Sequence, residues 1–590
     1  MPFSDFQTYL KALESAGELH RTNIEINPEL ELTEVAVRSI KEGKPALLVE
    51  KPTGSAFPLV INHYASSRRI ELALGRHPEE FGEELLGFME NAFPHPLNAI
   101  LSRKSTFRRL LNTRPKYSRR AISQQVTAHS DIGRLPVQMC WPKDGGRFIT
   151  YGQVVTYDPA SRKRNMGIYR MHVFDRATTG MHWQIQKGGG FHYHRSLRLG
   201  KEFEIAVALG TSPALLLATI APLPEGLDEA MFAGFLQNSR IKFTRGKTVS
   251  INVPSVAEFI LEGTVPANET RIEGPFGDHF GHYSAAAEFP IFRIKAITHR
   301  RNPVYPAIVV GRPPMEDKFL GDATQQMLGG LIRLIHKEVR GLWAYYEAGF
   351  HNLLVAAIEQ RYQKEAMKAA LGLMGTDQLS LAKCIVTVSE GVDVHDLHAV
   401  LREVYDNFDP RYDFIMIPKV PLDTLDFTSY SMNLGSKMII DATKKQGKIR
   451  RKANKEEITS RIGGLLSEDR RILELNLVDD ALLLIKVSSG GREILEKLVK
   501  DSHLQGLPMI AAVSGDVDIH EKESYIWGMF TRFDCERDVV FTEQKLTGIS
   551  PTYGGVMGID ATWKPGYPEP LSMTRKIITQ VDEKWGKIWK

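Results

Sequence analysis

Apolar residues recur at helical spacing over residues 3–19 and 79–90, while 46–48 and 59–61 are apolar runs of strand length. The mixture predicts an N-terminal α/β domain over residues 1–120. A basic stretch at 104–120 closes it and reads as a solvated connector. From Gln125 to Val310 the pattern changes to strands and turns, with strand-like runs at 148–157 and 168–174. In the second run Tyr169, Met171 and Val173 share one parity and Arg170 and His172 the other. A strand puts these sets on opposite faces, so Arg170 should point away from the apolar side, into solvent or a cleft. The domain predicted over 121–320 is therefore β-rich.

Helical spacing returns at 323–347 and 360–373, and strand and helix signals then alternate at 383–388, 395–404 and 414–418. An internal repeat follows. Val388-Ser389-Glu390-Gly391-Val392-Asp393-Val394-His395 recurs as Val513-Ser514-Gly515-Asp516-Val517-Asp518-Ile519-His520. Phe408-Asp409-Pro410-Arg411-Tyr412-Asp413 is echoed by Phe533-Asp534-Cys535-Glu536-Arg537-Asp538, and each copy closes on Asp-Ala-Thr, at 441–443 and 560–562. Three matches in one order predict two related α/β units. The first, with a linker helix, spans 321–455 and the second 456–590. Gly435-Ser436-Lys437-Met438 stands opposite Gly554-Gly555-Val556-Met557, so any task of Lys437 belongs to the first copy.

One uncharged stretch, 205–224, approaches the length of a membrane span. Gly210, Thr211, Ser212, Pro213 and Pro222 interrupt it, which predicts a buried strand, a turn and a second buried element. With 590 residues, 43% of them hydrophobic and 25% charged, the chain can build several large cores. A net charge of +5 singles out neither nucleic acid nor an anionic membrane as partner. Seven Lys or Arg crowd residues 444–455, but no aromatics interleave them for base stacking, so a solvated linker is expected there. Cys140, Cys384 and Cys535 are spaced for neither a disulfide framework nor a thiolate metal site, and the N-terminus has no apolar leader. Both features suit a reducing cytoplasm.

Four segments carry chemistry. In Asn165-Met166-Gly167-Ile168-Tyr169-Arg170 a carboxamide oxygen can bind a hard cation and an arginine can grip a carboxylate or phosphate, although Asn-x-Gly is most often a turn. In His182-Trp183-Gln184-Ile185-Gln186-Lys187-Gly188-Gly189-Gly190 a cation runs into three glycines, which allows backbone N–H groups close to a phosphate or forms a plain turn. Asp228-Glu229 reads as a helix N-terminal cap. Glu273-Gly274-Pro275-Phe276-Gly277-Asp278 holds two carboxylates five apart across a tight, non-helical turn. In an apolar pocket one of them can keep a proton at neutral pH while the other stays ionised beside an arginine, which is an acid–base pair. His279 and His282 lack the helical context of a zinc motif and read as pocket or loop histidines.

Taken in this order, with Pro313-Pro314-Met315-Glu316-Asp317-Lys318 and the segment from Gly435 to Thr443, these motifs resemble the UbiD family of reversible decarboxylases. The resemblance runs from about Phe3 to Thr443. It implies a central split β-barrel that binds prenylated FMN, flanked by an N-terminal α/β domain and a C-terminal α/β domain. It implies Asn165 and Glu229 as ligands of a divalent metal, usually Mn²⁺, with K⁺ admitted as well. Ile168, Tyr169, Arg170, His182, Trp183, Gln184, Lys187 and Gly188 match cofactor-contact positions, and Lys437 matches a phosphate partner. Arg170, Glu273 and Asp278 match the catalytic network, with Asp278 at the proton-donor position. Where relatives carry a histidine ligand this chain has Gln186-Lys187, which leaves Gln186, His192 and His194 as alternatives.

The same resemblance implies an aromatic carboxylic acid substrate, a flavin prenyltransferase as cofactor supplier, a homo-oligomer, at most peripheral membrane contact and no nucleic acid. The length and the second C-terminal unit resemble a longer subgroup tied to menaquinone synthesis, with ubiquinone synthesis the other quinone route. Two other readings of the residues stand beside it: an FMN-dependent reductase on a split β-barrel, and a non-enzymatic basic binding protein. The Glu273/Asp278 pair favours the decarboxylase, because hydride transfer has no need of it.

Overall fold

The computed structural model describes residues 3–90, 104–184, 188–223, 226–429, 431, 434–445 and 455–590. The chain divides into two compact units. The first comprises residues 1–311, 315–328 and 570–590, and the second 312–314 and 329–569.

The first unit opens with a four-stranded sheet, Leu19–Thr22, Ala46–Val49, Leu59–Ile61 and Tyr305–Pro306. The helix Phe6–Ser15 packs Phe6, Tyr9, Leu10 and Leu13 inward, and Asp5 caps it by accepting from the Thr8 N–H. The basic stretch after residue 103 is not wholly a connector. Lys104–Leu111 is helical, and Arg109 donates to the carbonyls of Phe235 and Leu236. The last helix, Arg575–Ile588, belongs to this unit rather than to the repeat, and Arg38 pairs with Asp582 at 2.7 Å.

The central sheet has eight strands. Those that position the site are β1 (Gln153–Tyr157), β2 (Arg164–Ile168), β3 (Thr178–Gly180), β4 (Phe203–Leu209), β5 (Phe259–Val265), β6 (Thr270–Glu273) and β7 (Ala287–His299). Their order is β3-β7-β5-β4-β1-β2, and β6 and Val126–Ala128 also pair with the long β7. Among the described residues no pairing joins the two ends of this path, so the strands form an open sheet, not a closed barrel. The pattern at 168–174 is kept in part. The strand breaks after Ile168, and a short strand, Met171–His172, pairs with Phe148–Ile149. Tyr169 and Met171 are buried and Arg170 turns the other way, as the alternation requires.

The uncharged stretch at 205–224 resolves into β4 and the helix Pro213–Ile220, capped by Ser212. Among the described residues no helix is long and apolar enough to cross a membrane.

The second unit contains the repeat as two five-stranded sheets of one topology. The first uses β8 (Val339–Ala344), β9 (Leu353–Ile358), β10 (Cys384–Ser389), β11 (Phe414–Val420) and β12 (Gly435–Asp441), in the order β8-β9-β10-β12-β11. The second uses β13 (Ile472–Val478), β14 (Leu482–Val487), β15 (Met509–Ser514), β16 (Val539–Thr547) and β17 (Ser550–Ala561), in the order β13-β14-β15-β17-β16. In each the outer pairs are antiparallel and the inner pairs parallel. Register shifts recur at the same two outer pairings. The helical pattern expected to run through 347 stops early, because residues 339–344 form β8. The basic run 444–455 lies largely outside the described residues.

The repeated motifs have a structural task. Lys445 contacts Asp413 at 3.3 Å and Asp441 at 3.5 Å, and Lys564 contacts Asp538 at 3.4 Å and Asp560 at 3.6 Å. Each copy thus ties the strand that ends on Asp-Ala-Thr to the turn before its antiparallel partner. Both copies share one core, in which Val355, Val386 and Ile440 join Leu484, Ala511, Met557 and Trp527.

Lys383 crosses between the copies with no exposure. Its Nζ lies 2.8 Å from Asp426 Oδ2 and donates to the Phe533 carbonyl at 2.8 Å. Removing one partner of a buried pair leaves an uncompensated charge, at a cost of about 3–5 kcal/mol. Lys383→Met should therefore lower the melting temperature of the second unit in calorimetry, and adding Asp426→Leu should recover most of the loss. An unchanged melting temperature for Lys383→Met would contradict this reading.

Candidate active site

Three elements bring the charged residues together. Arg170 follows β2, Glu273 ends β6, and Asp278 follows the short strand Phe276–Gly277, which pairs with Tyr283–Ser284. The turn between the carboxylates is tight because Gly274 adopts φ +93°, a conformation that favours glycine. Arg170 Nε donates to Glu273 Oε1 at 2.8 Å and Nη1 donates to Asp278 Oδ2 at 2.5 Å. The guanidinium also lies 4.8 Å from the centre of the Phe276 ring. His182 Nδ1 sits 2.8 Å from Glu273 Oε1, and its ring stacks on Phe289 at 4.1 Å. His279 Nδ1 sits 2.6 Å from Asp278 Oδ1, which also accepts the His279 backbone N–H at 2.8 Å.

This geometry corrects one expectation. The spacing suggested a split pair, one carboxyl protonated and one ionised. Burial does push the Glu273 carboxyl up, but the His182 hydrogen bond and the Arg170 charge outweigh it and hold the group below its ordinary value. Burial likewise pushes Asp278 up, and His279 and Arg170 outweigh it by a wide margin. His182, His279 and the Arg170 guanidinium shared by both carboxylates together favour the ionised form of each.

Asp144, which no sequence motif singles out, fixes the turn. It accepts N–H groups from Cys140 at 3.1 Å, Trp141 at 2.9 Å and Gly277 at 2.7 Å. The Gly145 N–H donates to the Pro275 carbonyl at 2.7 Å, and a Cβ on Gly145 would fall 2.2 Å from the Gly274 carbonyl oxygen. Burial raises Asp144 to about 6 against these three donors. Its only signal was a lone aspartate before two glycines, which reads as an ordinary turn.

Asn165 and Glu229 converge on one backbone group. Glu229 Oε2 accepts the Met166 N–H at 2.9 Å, and exchanging the O and N of the Asn165 carboxamide would let its oxygen accept the Met166 and Gly189 N–H groups at 3.3 Å. Asn165 lies within β2, not in the turn that Asn-x-Gly suggested. Asp228 and Glu229 divide the work at the start of helix Glu229–Gln237. Asp228 is the cap and pairs with Arg164 at 2.5 Å, which leaves Glu229 to turn inward. Burial raises Glu229 to about 7. A buried carboxyl whose hydrogen bonds come from backbone N–H groups, beside a carboxamide oxygen, is a donor set that fits a hard divalent cation. Among the described residues no group of three His, Cys, Asp or Glu completes a metal cluster. Of the alternatives for a further ligand, His192 is buried and bonded to Thr156 at 2.9 Å, His194 is exposed, and Gln186 lies outside the described residues.

The glycine run opens the helix Gly188–Arg198. A Cβ on Gly188 would fall 2.2 Å from the Asn165 amide, and one on Gly189 2.7 Å from the Trp183 ring and the Tyr169 hydroxyl. The Gly189 N–H donates to that hydroxyl at 3.1 Å. Tyr169 and Trp183 meet edge to face at 5.0 Å. Trp183 Nε1 and Glu273 Oε2 are buried without a hydrogen-bond partner among the described residues. The glycines let Asn165, Trp183 and Tyr169 pack against the helix start, and a helix N-terminus beside an unsatisfied indole N–H fits an anionic, aromatic cofactor. Ile168 ends β2, and the Gln184 carbonyl would lie 2.7 Å from a Cβ on Gly190. Lys187 lies outside the described residues. Lys437 stands in the second unit on β12, where it donates to the Ser380 carbonyl and burial lowers it to about 8.

Comparisons with known proteins bear on the chain as a whole. The chain matches the N-terminal domain of the 3-octaprenyl-4-hydroxybenzoate carboxy-lyase family at residues 10–89 and its Rift-related domain at 115–313. The family's C-terminal domain matches at 318–442 and 489–561, which reaches both repeat copies. A protein of Archaeoglobus fulgidus is 44% identical over 447 residues, covering 75% of this chain and 92% of its own. A Chlamydia pneumoniae protein named as a component of 4-hydroxybenzoate decarboxylase is 32% identical, covering 95% of this chain and 94% of its own. Among solved structures, the UbiD-class enzyme HmfF from Pelotomaculum thermopropionicum in complex with FMN superposes with a TM-score of 0.65 at 26% identity. That match covers 75% of this chain and 95% of HmfF. An evolved dimeric form of HmfF with prenylated FMN gives a TM-score of 0.64 at 25% identity, over 76% of this chain and 97% of that one. Matched by all three domains of one family, and aligned with a relative over nearly its full length, the chain belongs to the UbiD family of carboxy-lyases.

Proposed function

We propose that this enzyme removes CO₂ from an aromatic hydroxy acid, with prenylated FMN and a divalent metal, usually Mn²⁺, bound in the first unit. The observation that carries the reading is the single guanidinium of Arg170, shared between Glu273 and Asp278. Asn165 and Glu229 would hold the metal, with K⁺ as a second ion. Ile168, Tyr169, Arg170, His182, Trp183, Gln184, Lys187 and Gly188 would hold the cofactor. When bound, the cofactor supplies the electron sink that a ring losing CO₂ requires and that no side chain provides.

The chain's own residues do the rest. Arg170 takes the substrate carboxylate, since a guanidinium suits two-pronged contact with that group. Glu273, held ionised by His182, keeps Arg170 oriented. Buried aromatic neighbours exclude water and favour the neutral product. Asp278 delivers a proton to the carbon that CO₂ has left. The acids named for related proteins support a phenolic substrate, and 4-hydroxybenzoate is the first to try. A quinone-pathway acid, including a hydroxynaphthoate of menaquinone synthesis, is the second. The likeness to a dimeric HmfF supports a homo-oligomer. A cytoplasmic enzyme supplied by a flavin prenyltransferase, with at most peripheral membrane contact, completes the reading.

The test is turnover of 4-hydroxybenzoate, vanillate, protocatechuate and hydroxynaphthoates by protein co-expressed with a flavin prenyltransferase. Wild type should release CO₂ from at least one acid. Asp278→Asn should retain prenylated FMN by mass spectrometry and lose about a hundred- to ten-thousand-fold in kcat, the usual worth of a positioned acid. Undiminished turnover by that variant would remove Asp278 from the mechanism.

Metal binding should depend on pH through Glu229. Its pKa is raised to about 7, so below that value a proton competes with the cation for the carboxylate. Affinity for Mn²⁺, followed by paramagnetic resonance of the unbound ion, should fall by about tenfold per pH unit below 7 and level off above it. A flat profile between pH 8 and 5 would take Glu229 out of the metal shell.

A further inference from the structure

We infer that His279 is the residue that loads the proton onto Asp278, carrying it from solvent to a carboxylate that cannot otherwise hold one. The inference rests on the decarboxylase reading and adds a step that reading leaves open. A proton donor must be protonated when CO₂ departs, yet Asp278 has both oxygens engaged. Oδ2 accepts from Arg170, and Oδ1 meets His279 Nδ1 at 2.6 Å as well as a backbone N–H. Of these donors the guanidinium does not release protons in proteins. A backbone amide does not either, so of the three the imidazole is the group that titrates near neutrality.

Exposure fits a relay. The Asp278 side chain is 10% exposed and the His279 side chain 22%. Charged groups near the ring include Asp278 on its own turn, Arg170 beyond it, and Asp317 at the start of the helix Glu316–Leu328. Burial lifts Asp317 to about 7, and it feels the charges of both His279 and Asp278. A second carboxyl on this side favours the imidazolium form of the ring when it is ionised.

In the substrate-free enzyme His279 is an imidazolium paired with the Asp278 carboxylate. Substrate carboxylate drawing on Arg170 weakens one of the two cations that keep Asp278 ionised. The proton on His279 Nδ1 then moves to Asp278 Oδ1, leaving a neutral ring and a neutral acid. The C–CO₂ bond breaks and CO₂ leaves, and the electron pair of that bond remains available to the carbon that carried it, with the sink described above relieving its charge. Asp278 gives its proton to that carbon and is a carboxylate again. The neutral imidazole takes a proton from water, so each turnover consumes one proton from solvent. His279 acts through Asp278 and is a positioning and relay residue, not a catalytic one.

The test uses holoenzyme and two readouts. Histidine ¹⁵N spectra of wild type, with the His279 signals identified by their loss in His279→Gln, should show an imidazolium at pH 7. In Asp278→Asn the same ring should be neutral at pH 7. With an acid that wild type turns over, His279→Gln should keep cofactor, metal and KM while kcat falls about a hundredfold, within the range for a lost proton-transfer group. Added imidazole should restore part of the rate, and the pH profile should lose the limb that wild type shows. A neutral His279 at pH 7 in wild type, or a His279→Gln kcat within twofold of wild type with an unchanged pH profile, overturns the relay. If wild type turns over no acid, the decarboxylase reading has failed, and the ¹⁵N result still decides whether His279 holds a proton against Asp278.

Discussion

One guanidinium serving two carboxylates is the constraint around which the first unit is organised. Glu273 is fully buried and Asp278 nearly so. An unpaired carboxylate in such surroundings is expensive, and pairing through hydrogen bonds offsets the cost. Arg170 can do this for both because the chain places three unrelated elements within reach of one side chain. β2 ends just before it, β6 ends on Glu273, and the turn carrying Asp278 is pinned by Asp144 through the Gly277 N–H. The arrangement is balanced while substrate is absent. On the proposed reading, a substrate carboxylate entering it would set up a contest for the same cation, which decarboxylation would resolve by turning that carboxylate into neutral CO₂ while a proton is consumed. The ionised pair is thus a poised state, and the histidines beside it complete the charge balance.

The second unit illustrates a different use of charge. The motifs that repeat along the chain place Lys445 between Asp413 and Asp441, and Lys564 between Asp538 and Asp560. These contacts tie strand to turn in each copy, which is reason enough for the Asp-Ala-Thr tripeptide to occur twice. Lys437 has no counterpart, since Val556 occupies its place in the second copy. The two sheets are alike in topology and in their irregular pairings. They differ in the length of the last antiparallel pair, Phe414–Val420 with Gly435–Asp441 against Val539–Thr547 with Ser550–Ala561, and in side chains such as this one.

Much of this was legible in the sequence where local pattern decides. The alternation around Arg170, the strand and helix within 205–224, and the duplicated order of strands all follow from periodicity and self-similarity. What was missed depends on contacts between distant residues. Helical spacing ran past Gly329-Gly330 into residues 339–344, which are a strand because they pair with β9. Asn165 looked like a turn residue and lies in a strand because β1 pairs with it. Asp144 drew no reading from the sequence and is a clamp because Gly277 lies across from it. The carboxylates were expected to differ in protonation. Both are instead held below the ordinary carboxylate range, because His182, His279 and Arg170 reach them across tertiary distances that spacing along the chain does not encode.

The most direct test of this account is the protonation state of the pair in substrate-free holoenzyme. Infrared difference spectra at pH 7, wild type minus Asp278→Asn and wild type minus Glu273→Gln, isolate each side chain. The account predicts carboxylate bands for both residues and no protonated-carboxyl C=O band from either. A protonated-carboxyl band from Asp278 in that state would contradict it, and would mean that the proton donor is loaded before substrate ever reaches Arg170.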